Sequence, residues 1–201
     1  MGKQSKEGRK TRRRIGNFER NFKMRKIVIK VKVRGRDEFE EKVTELGHDF
    51  GPLYWQHDRV YVPRGYKRGQ NYPRFIMRTE MKAIDRPANY FLIFKRHIED
   101  TGIELENMTM IKDYAEAVEM IMQLGFMLQK EVSRKRQDVK ISNETKLYLD
   151  KVEGVSGVFA KIEAEIPEDK KIVEVRNEAR EFFEKVGEKN FYEKTYAELL
   201  N

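Results

Sequence analysis

From residue 26 onward hydrophobic and polar residues alternate. Across 26–34, Ile27, Ile29, Val31 and Val33 fall on one face, and Lys26, Val28, Lys30, Lys32 and Arg34 on the other. A period of two marks a strand, because successive side chains leave opposite sides of an extended backbone. The same pattern predicts strands over 59–62, 74–81, 90–97, 102–108, 132–141, 146–151 and 158–166. A period near 3.6 replaces it in three places. Residues 36–46 place Phe39, Val43 and Leu46 on one stripe. Residues 113–124 place Ala117, Val118, Ile121 and Leu124 inward, with Asp113 as N-cap. Residues 168–186 align Ile172, Val175, Ala179, Phe182 and Val186. Gly47, Gly125 and Gly187 follow as helix stops. Turn formers and aromatics crowd 50–75, where a mobile loop is expected over 64–72.

The polar faces of these strands are unusual. They mix Lys and Arg with Glu and Asp on strand after strand, with few Ser or Thr. One charged strand face is ordinary exposed surface. A whole series fits either a large open sheet or a barrel whose charged faces point inward. An open sheet leaves unpaired edges, whereas closure removes them and lets helices cover the apolar outer faces. The expected class is α+β: a closed or nearly closed antiparallel β-barrel of about eight strands, with a charged tunnel and helices packed outside.

Composition adds three points. Charged residues make up 38% of the 201-residue chain, so charge must either coat the outside or line something inside. The net charge of +8 is concentrated at the start: Lys3, Lys6, Arg9, Lys10, Arg12, Arg13, Arg14, Arg20 and Lys23 face only Glu7 and Glu19. Residues 1–23 read as a disordered basic arm ahead of a single domain at 24–201. The arm suits nucleic acid or another polyanion, or serves only as a solubilising tail. Without cysteine there is neither a disulfide framework nor thiolate chemistry. His48, His57 and His97 are scattered, so any metal would be a hard ion held by carboxylates. No apolar run approaches the roughly 18 residues of a membrane span, and no signal-peptide core follows Met1. A soluble, cytoplasmic protein with no membrane partner is the expectation.

Bases and acids facing one another across a tunnel suit a metal–polyphosphate site. Lys and Arg neutralise phosphate oxygens, and carboxylates beside phosphate call for a bridging cation. Ordinary cross-strand salt bridges explain the same residues without a ligand. Other features read plainly: Met108, Met110, Met120, Met122 and Met127 as flexible core filler, Trp55 as packing on its own domain, and His57-Asp58 as a satisfied surface pair.

From 25 to 200 the residues resemble the CYTH superfamily, the triphosphate tunnel metalloenzymes that include class IV adenylyl cyclases and thiamine triphosphatases. Lys26-Ile27-Val28-Ile29-Lys30 lies where the family opens with Glu-x-Glu-x-Lys. Arg74-Phe75-Ile76-Met77-Arg78 resembles its arginine strand, and Phe91 to Lys95 its Thr-x-Lys strand. Glu104-Leu105-Glu106 matches Glu-x-Glu, and Arg134-Lys135-Arg136 matches Lys-x-Arg. Leu149 to Val155 resembles the Leu-Asp-x-Val-x-Gly-Leu element, Phe159 to Glu163 the strand after it, and Thr195-Tyr196 with Leu199-Leu200 the family's C-terminal motif.

The resemblance implies phosphate binding by Lys30, Arg78, Lys95, Arg134 and Arg136; Lys26 and Lys161, lysines where the family has glutamates, are expected to assist through their charge. It implies Mg²⁺ or Mn²⁺ at a weakened site made of Glu104, Glu106, Asp150 and Glu163. The ligand would be a nucleoside triphosphate, inorganic triphosphate or thiamine triphosphate. The departures matter equally: both metal-binding glutamates of the opening motif are replaced, by Lys26 and Val28, and the first glutamate of the last strand by Lys161. Three readings remain open. The chain is a metal-dependent triphosphate phosphohydrolase or cyclase, a non-catalytic relative that binds nucleotide, polyphosphate or nucleic acid, or a barrel with structural salt bridges only.

Overall fold

The computed structural model describes residues 24–67, 71–83, 85–98, 101, 103–192 and 194–200. The proposed arm at 1–23 and part of the loop expected over 64–72 lie outside the described residues. Eight strands run in chain order: β1 (Met24–Val33), β2 (Tyr54–Pro63), β3 (Arg74–Met81), β4 (Asn89–Ile98), β5 (Ile103–Ile111), β6 (Phe126–Lys140), β7 (Thr145–Val152) and β8 (Val158–Glu165). Four helices accompany them among the described residues: α1 (Arg36–Glu45), α2 (Tyr114–Gln123), α3 (Ile172–Lys185) and α4 (Tyr196–Leu199). The strands close into a barrel in the order β1-β5-β4-β3-β2-β6-β7-β8, and every pairing is antiparallel. The expected α+β barrel with external helices is therefore the fold.

The strands' apolar faces point outward, and α1, α2 and α3 cover them. Ile27, Ile29, Val31 and Val33 of β1 join Leu147, Leu149, Ala160 and Ile162 beneath Phe39 and Val43 of α1 and Val175, Ala179 and Phe183 of α3. Around the ring, Ile121 of α2 seats on Tyr61 and Met77, flanked by Phe75, Leu92 and Phe126. Burying one such side chain contributes about 1.5–3 kcal/mol, so the two outer cores drive closure.

Several sequence expectations shift. β2 begins at Tyr54 rather than 59, and β6 at Phe126 rather than 132. Antiparallel register sets each extension against the expected part of the other strand: Tyr54 to Asp58 pair with Arg136 to Val132, and Phe126 to Glu131 with Pro63 to Arg59, with a bulge at Val60/Tyr61. α3 begins at Ile172 rather than 168: a turn closes from Lys170 N–H to the Pro167 carbonyl, and Glu174 accepts from the Lys171 N–H to cap the helix there. Its stripe runs Val175, Ala179, Phe183, Val186, so Phe183 is the fully buried ring and Phe182 flanks the core. Leu46 and Leu124, expected inward, are exposed because both helices end one residue earlier. The methionine reading is also corrected: Met108, Met110, Met120, Met122 and Met127 are all exposed. α2 buries only Ile121, so its methionines lie off the seam. Asp113 caps α2 as expected, accepting from the Glu116 N–H at 2.9 Å. Gly47 and Gly187 end α1 and α3 at φ +84°, a conformation side chains disfavour.

Candidate functional site

Closure turns alternation into enclosure: the charged face of each strand now lines the barrel's interior. A cavity of about 110 Å³ lies there. Six bases border it: Lys30, Arg74, Arg78, Lys95, Arg134 and Lys161. Three carboxylates border it with them: Asp58, Glu104 and Glu163. Apolar side chains share the wall, with Val60, Ile76 and Ile93 in one packed row beside Phe91.

Around β1, β4, β5 and β8 the bases are lysines and the acids glutamates. The Lys26 ammonium donates to Glu106 and Glu163, each at 2.8 Å. Lys95 contacts Glu104 and Glu106, each at 2.7 Å, and Lys161 donates to Glu163. Burial disfavours the charge on Lys26, but Glu163, Glu106 and Glu104 outweigh it and hold the ammonium well above its ordinary range. Burial likewise opposes ionisation of Glu104, yet Lys95, Lys26 and Arg74 bring it down to about 2.

Across the barrel, on β2, β3, β6 and β7, the bases are arginines and the acids aspartates. Arg78 grips Asp58 through two nitrogens at 2.8 and 3.1 Å, and Arg134 bonds the same carboxylate. Arg136 grips Asp150 at 2.6 and 2.7 Å, and the Tyr196 hydroxyl donates to Asp150 at 2.7 Å. These are fork-to-fork contacts, fixed in direction as well as charge. Arg136 and Arg134 overcome the burial of Asp150 and hold it at about 2.

Two lysines on the first side face each other. Lys30 on β1 stands directly opposite Lys161 on β8, an unfavourable like-charge pairing. Among the described residues Lys30 has no carboxylate partner; it donates to the Lys194 carbonyl and lies 4.6 Å over the Tyr196 ring. Burial lowers its pKa to about 8. Lys161, 4.5 Å over the Tyr148 ring, is lowered by burial to about 7 despite Glu163.

The structure thus brings together all seven bases and all four acids named from the sequence, in two groups. Sequence reasoning did not name Asp58, Gln56, Arg74 or Tyr196 as site residues, although Arg74 and Tyr196 stand in the motifs above. The surface reading of His57-Asp58 is corrected: Asp58 is buried between two arginines, while His57 faces outward and stacks on Trp55 at 5.5 Å. Parity would have found it, since Gln56, Asp58 and Val60 share one face once β2 starts at Tyr54.

The family model of the CYTH domain matches residues 77–196, from within β3 to the first residue of α4. The chain belongs to the CYTH domain family. Its fold is similar to that of the PH1819 protein from Pyrococcus horikoshii OT3, at 24% identity and a TM-score of 0.74, over 87% of this chain and 97% of that one. A Vibrio parahaemolyticus protein provisionally assigned as an adenylate cyclase is 17% identical with a TM-score of 0.73, over 88% and 98% of the two chains. HpAC1 from Hippeastrum, provisionally an adenylyl cyclase with a dominant triphosphatase activity, is 10% identical with a TM-score of 0.57, over 88% and 94%. At these identities the likeness shows the CYTH fold alone. No curated protein matches the sequence. Among the described residues no helix is long and apolar enough to cross a membrane.

CYTH proteins generally use divalent metals. As arranged, the carboxylates here do not fit one. Among the described residues no three His, Asp or Glu side chains converge to hold an ion. Glu104, Glu106 and Glu163 are each engaged by lysine, and both oxygens of Asp150 bond Arg136 across the barrel.

Proposed function

We propose that the tunnel binds the triphosphate group of an anionic ligand. The observation that carries this reading is the direct opposition of Lys30 and Lys161 in a buried wall. Two ammonium groups so placed repel and are poorly solvated, and an anion between them relieves both costs. Phosphate oxygens there would also lie near Lys95, Arg78 and Arg134, which border the same cavity. Arg136 supports the site through Asp150 and Tyr196. Membership of the CYTH family supports the same ligand class. The apolar row of Val60, Ile76 and Ile93 offers contact to an organic group, as in a nucleoside triphosphate or thiamine triphosphate.

A second reading adds turnover, hydrolysis or cyclisation of that ligand. It draws on the family and on the triphosphatase activity of the structurally similar HpAC1. The test is a panel of ATP, inorganic triphosphate and thiamine triphosphate, each with Mg²⁺, Mn²⁺ or EDTA. Heat of binding, phosphate release and cyclic nucleotide are measured. Saturable binding is expected for at least one triphosphate, and turnover would establish the second reading. No binding across the panel would overturn the proposal.

A further inference from the structure

We infer that the Lys26 ammonium is a built-in cation standing where a mobile divalent ion would otherwise bridge the glutamates, so that triphosphate binding in this tunnel needs no metal. The inference rests on the proposed function above.

Geometry carries it. The Lys26 Nζ sits between Glu106 and Glu163 at 2.8 Å from each, and its side chain is 5% exposed. An ammonium has three donors, and two are spent here on carboxylates from β5 and β8. Lys95 satisfies Glu104 and the other Glu106 oxygen, and Lys161 satisfies the other Glu163 oxygen. Each of the three glutamates is therefore bonded by lysine before any ligand arrives. A divalent ion would have to displace Lys26 and leave it charged and unpaired in a buried wall. Mg²⁺ also demands about six oxygens near 2.0–2.1 Å. β1 offers none, because the inward residue between Lys26 and Lys30 is Val28, opposite Glu163.

What a metal would supply to a triphosphate is charge. Here the chain supplies it: Lys26, Lys30, Arg74, Lys95 and Lys161 stand against the three glutamates, with Arg74 also 3.5 Å from Glu104. A tethered cation cannot diffuse away, so its translational cost is met on folding rather than on binding. It organises no attacking water as a metal does, so the arrangement favours holding a triphosphate over cleaving it.

The experiment titrates inorganic triphosphate into the full chain by calorimetry, once in EDTA and once in Mg²⁺. Wild-type affinity in EDTA is expected within about threefold of that in Mg²⁺. Lys26→Gln should lose at least about tenfold in EDTA, whereas Lys26→Arg should retain binding. A double Lys26→Glu, Val28→Glu variant should bind in Mg²⁺ or Mn²⁺ and lose binding in EDTA. Wild-type binding that requires Mg²⁺ would overturn the inference and leave the proposed function standing. Binding absent under both conditions would overturn the proposed function itself. The wild-type arms decide the matter even where a variant fails to fold.

Discussion

The two sides of the tunnel use the same two charges and obtain different results. On the arginine–aspartate side, Arg78, Arg134 and Arg136 hold Asp58 and Asp150 through directional, multi-point bonds. On the lysine–glutamate side, Lys26, Lys95 and Lys161 meet Glu104, Glu106 and Glu163 as point charges shared between partners. A guanidinium fork fixes geometry, whereas an ammonium on a four-carbon stem exchanges one oxygen for another at little geometric cost. The first side is built to keep its shape, and the second can change partners.

The largest effect should come from breaking the rigid side. Arg136→Met leaves Asp150 buried and charged with, among the described residues, only the Tyr196 hydroxyl bonded to it. A loss of about 3–5 kcal/mol in chemical denaturation is expected. Adding Asp150→Leu should recover most of that. A single substitution costing under about 1 kcal/mol would end the distinction between the two sides.

The opposite behaviour is expected of Lys161→Met. Ligand-free stability should stay within about 1 kcal/mol of wild type or rise, because Glu163 keeps Lys26 and a depressed ammonium is removed. Triphosphate affinity at pH 6.5 should nevertheless fall about tenfold or more. If stability falls and affinity does not, Lys161 is a structural ion pair.

Titration sharpens the same contrast. Lys30 and Lys161 have folded pKa values of about 8 and 7, below the ordinary 10.5. Between about pH 7 and 10.5 the unfolded chain therefore binds more protons, and ligand-free stability rises with pH. Asp58, Glu104 and Asp150 lie below their ordinary values, so their contribution is present above about pH 4 and is lost as pH falls toward 2. Triphosphate affinity should weaken several-fold from pH 7 to 9 as the two lysines lose protons. Affinity that is flat over that range would remove them from the site.

The smallest effect concerns residues 1–23, which we propose act as an arm for polyanions. Deleting them should lower affinity for single-stranded nucleic acid a few-fold at low salt, fading as salt rises. Triphosphate binding in the tunnel should not change. Nucleic-acid binding unaltered by the deletion at low salt would refute the arm.

Much of this was legible because parity survives folding. Once a strand is half-buried, every second residue shares its neighbour's fate, so Lys26 and Lys30, Glu104 and Glu106, and Arg134 and Arg136 fell on the interior face by counting alone. The opening of β2 was hidden because Tyr54, Trp55 and His57 follow a Gly51-Pro52 turn signal and carry no apolar alternation. Its strand form comes from pairing with β3 and β6 rather than from local pattern. Partner choice was also illegible. Counting places Lys26 inside, but only the ring order brings it between β5 and β8, where Glu106 and Glu163 meet it.

That ring order has a kinetic consequence. β1 is flanked by β5 and β8, and the contact between Lys26 and Glu163 spans 137 residues of sequence. Such contacts demand large loop closure before they reward it, so the barrel should fold slowly for its size. On the ribosome, β1 must wait with one edge open until β8 emerges, at about 5–20 residues per second. A nascent chain stopped before 158 carries Lys26 with one glutamate partner instead of two and has no enclosed cavity. The enclosed cavity is thus completed only when β8 arrives.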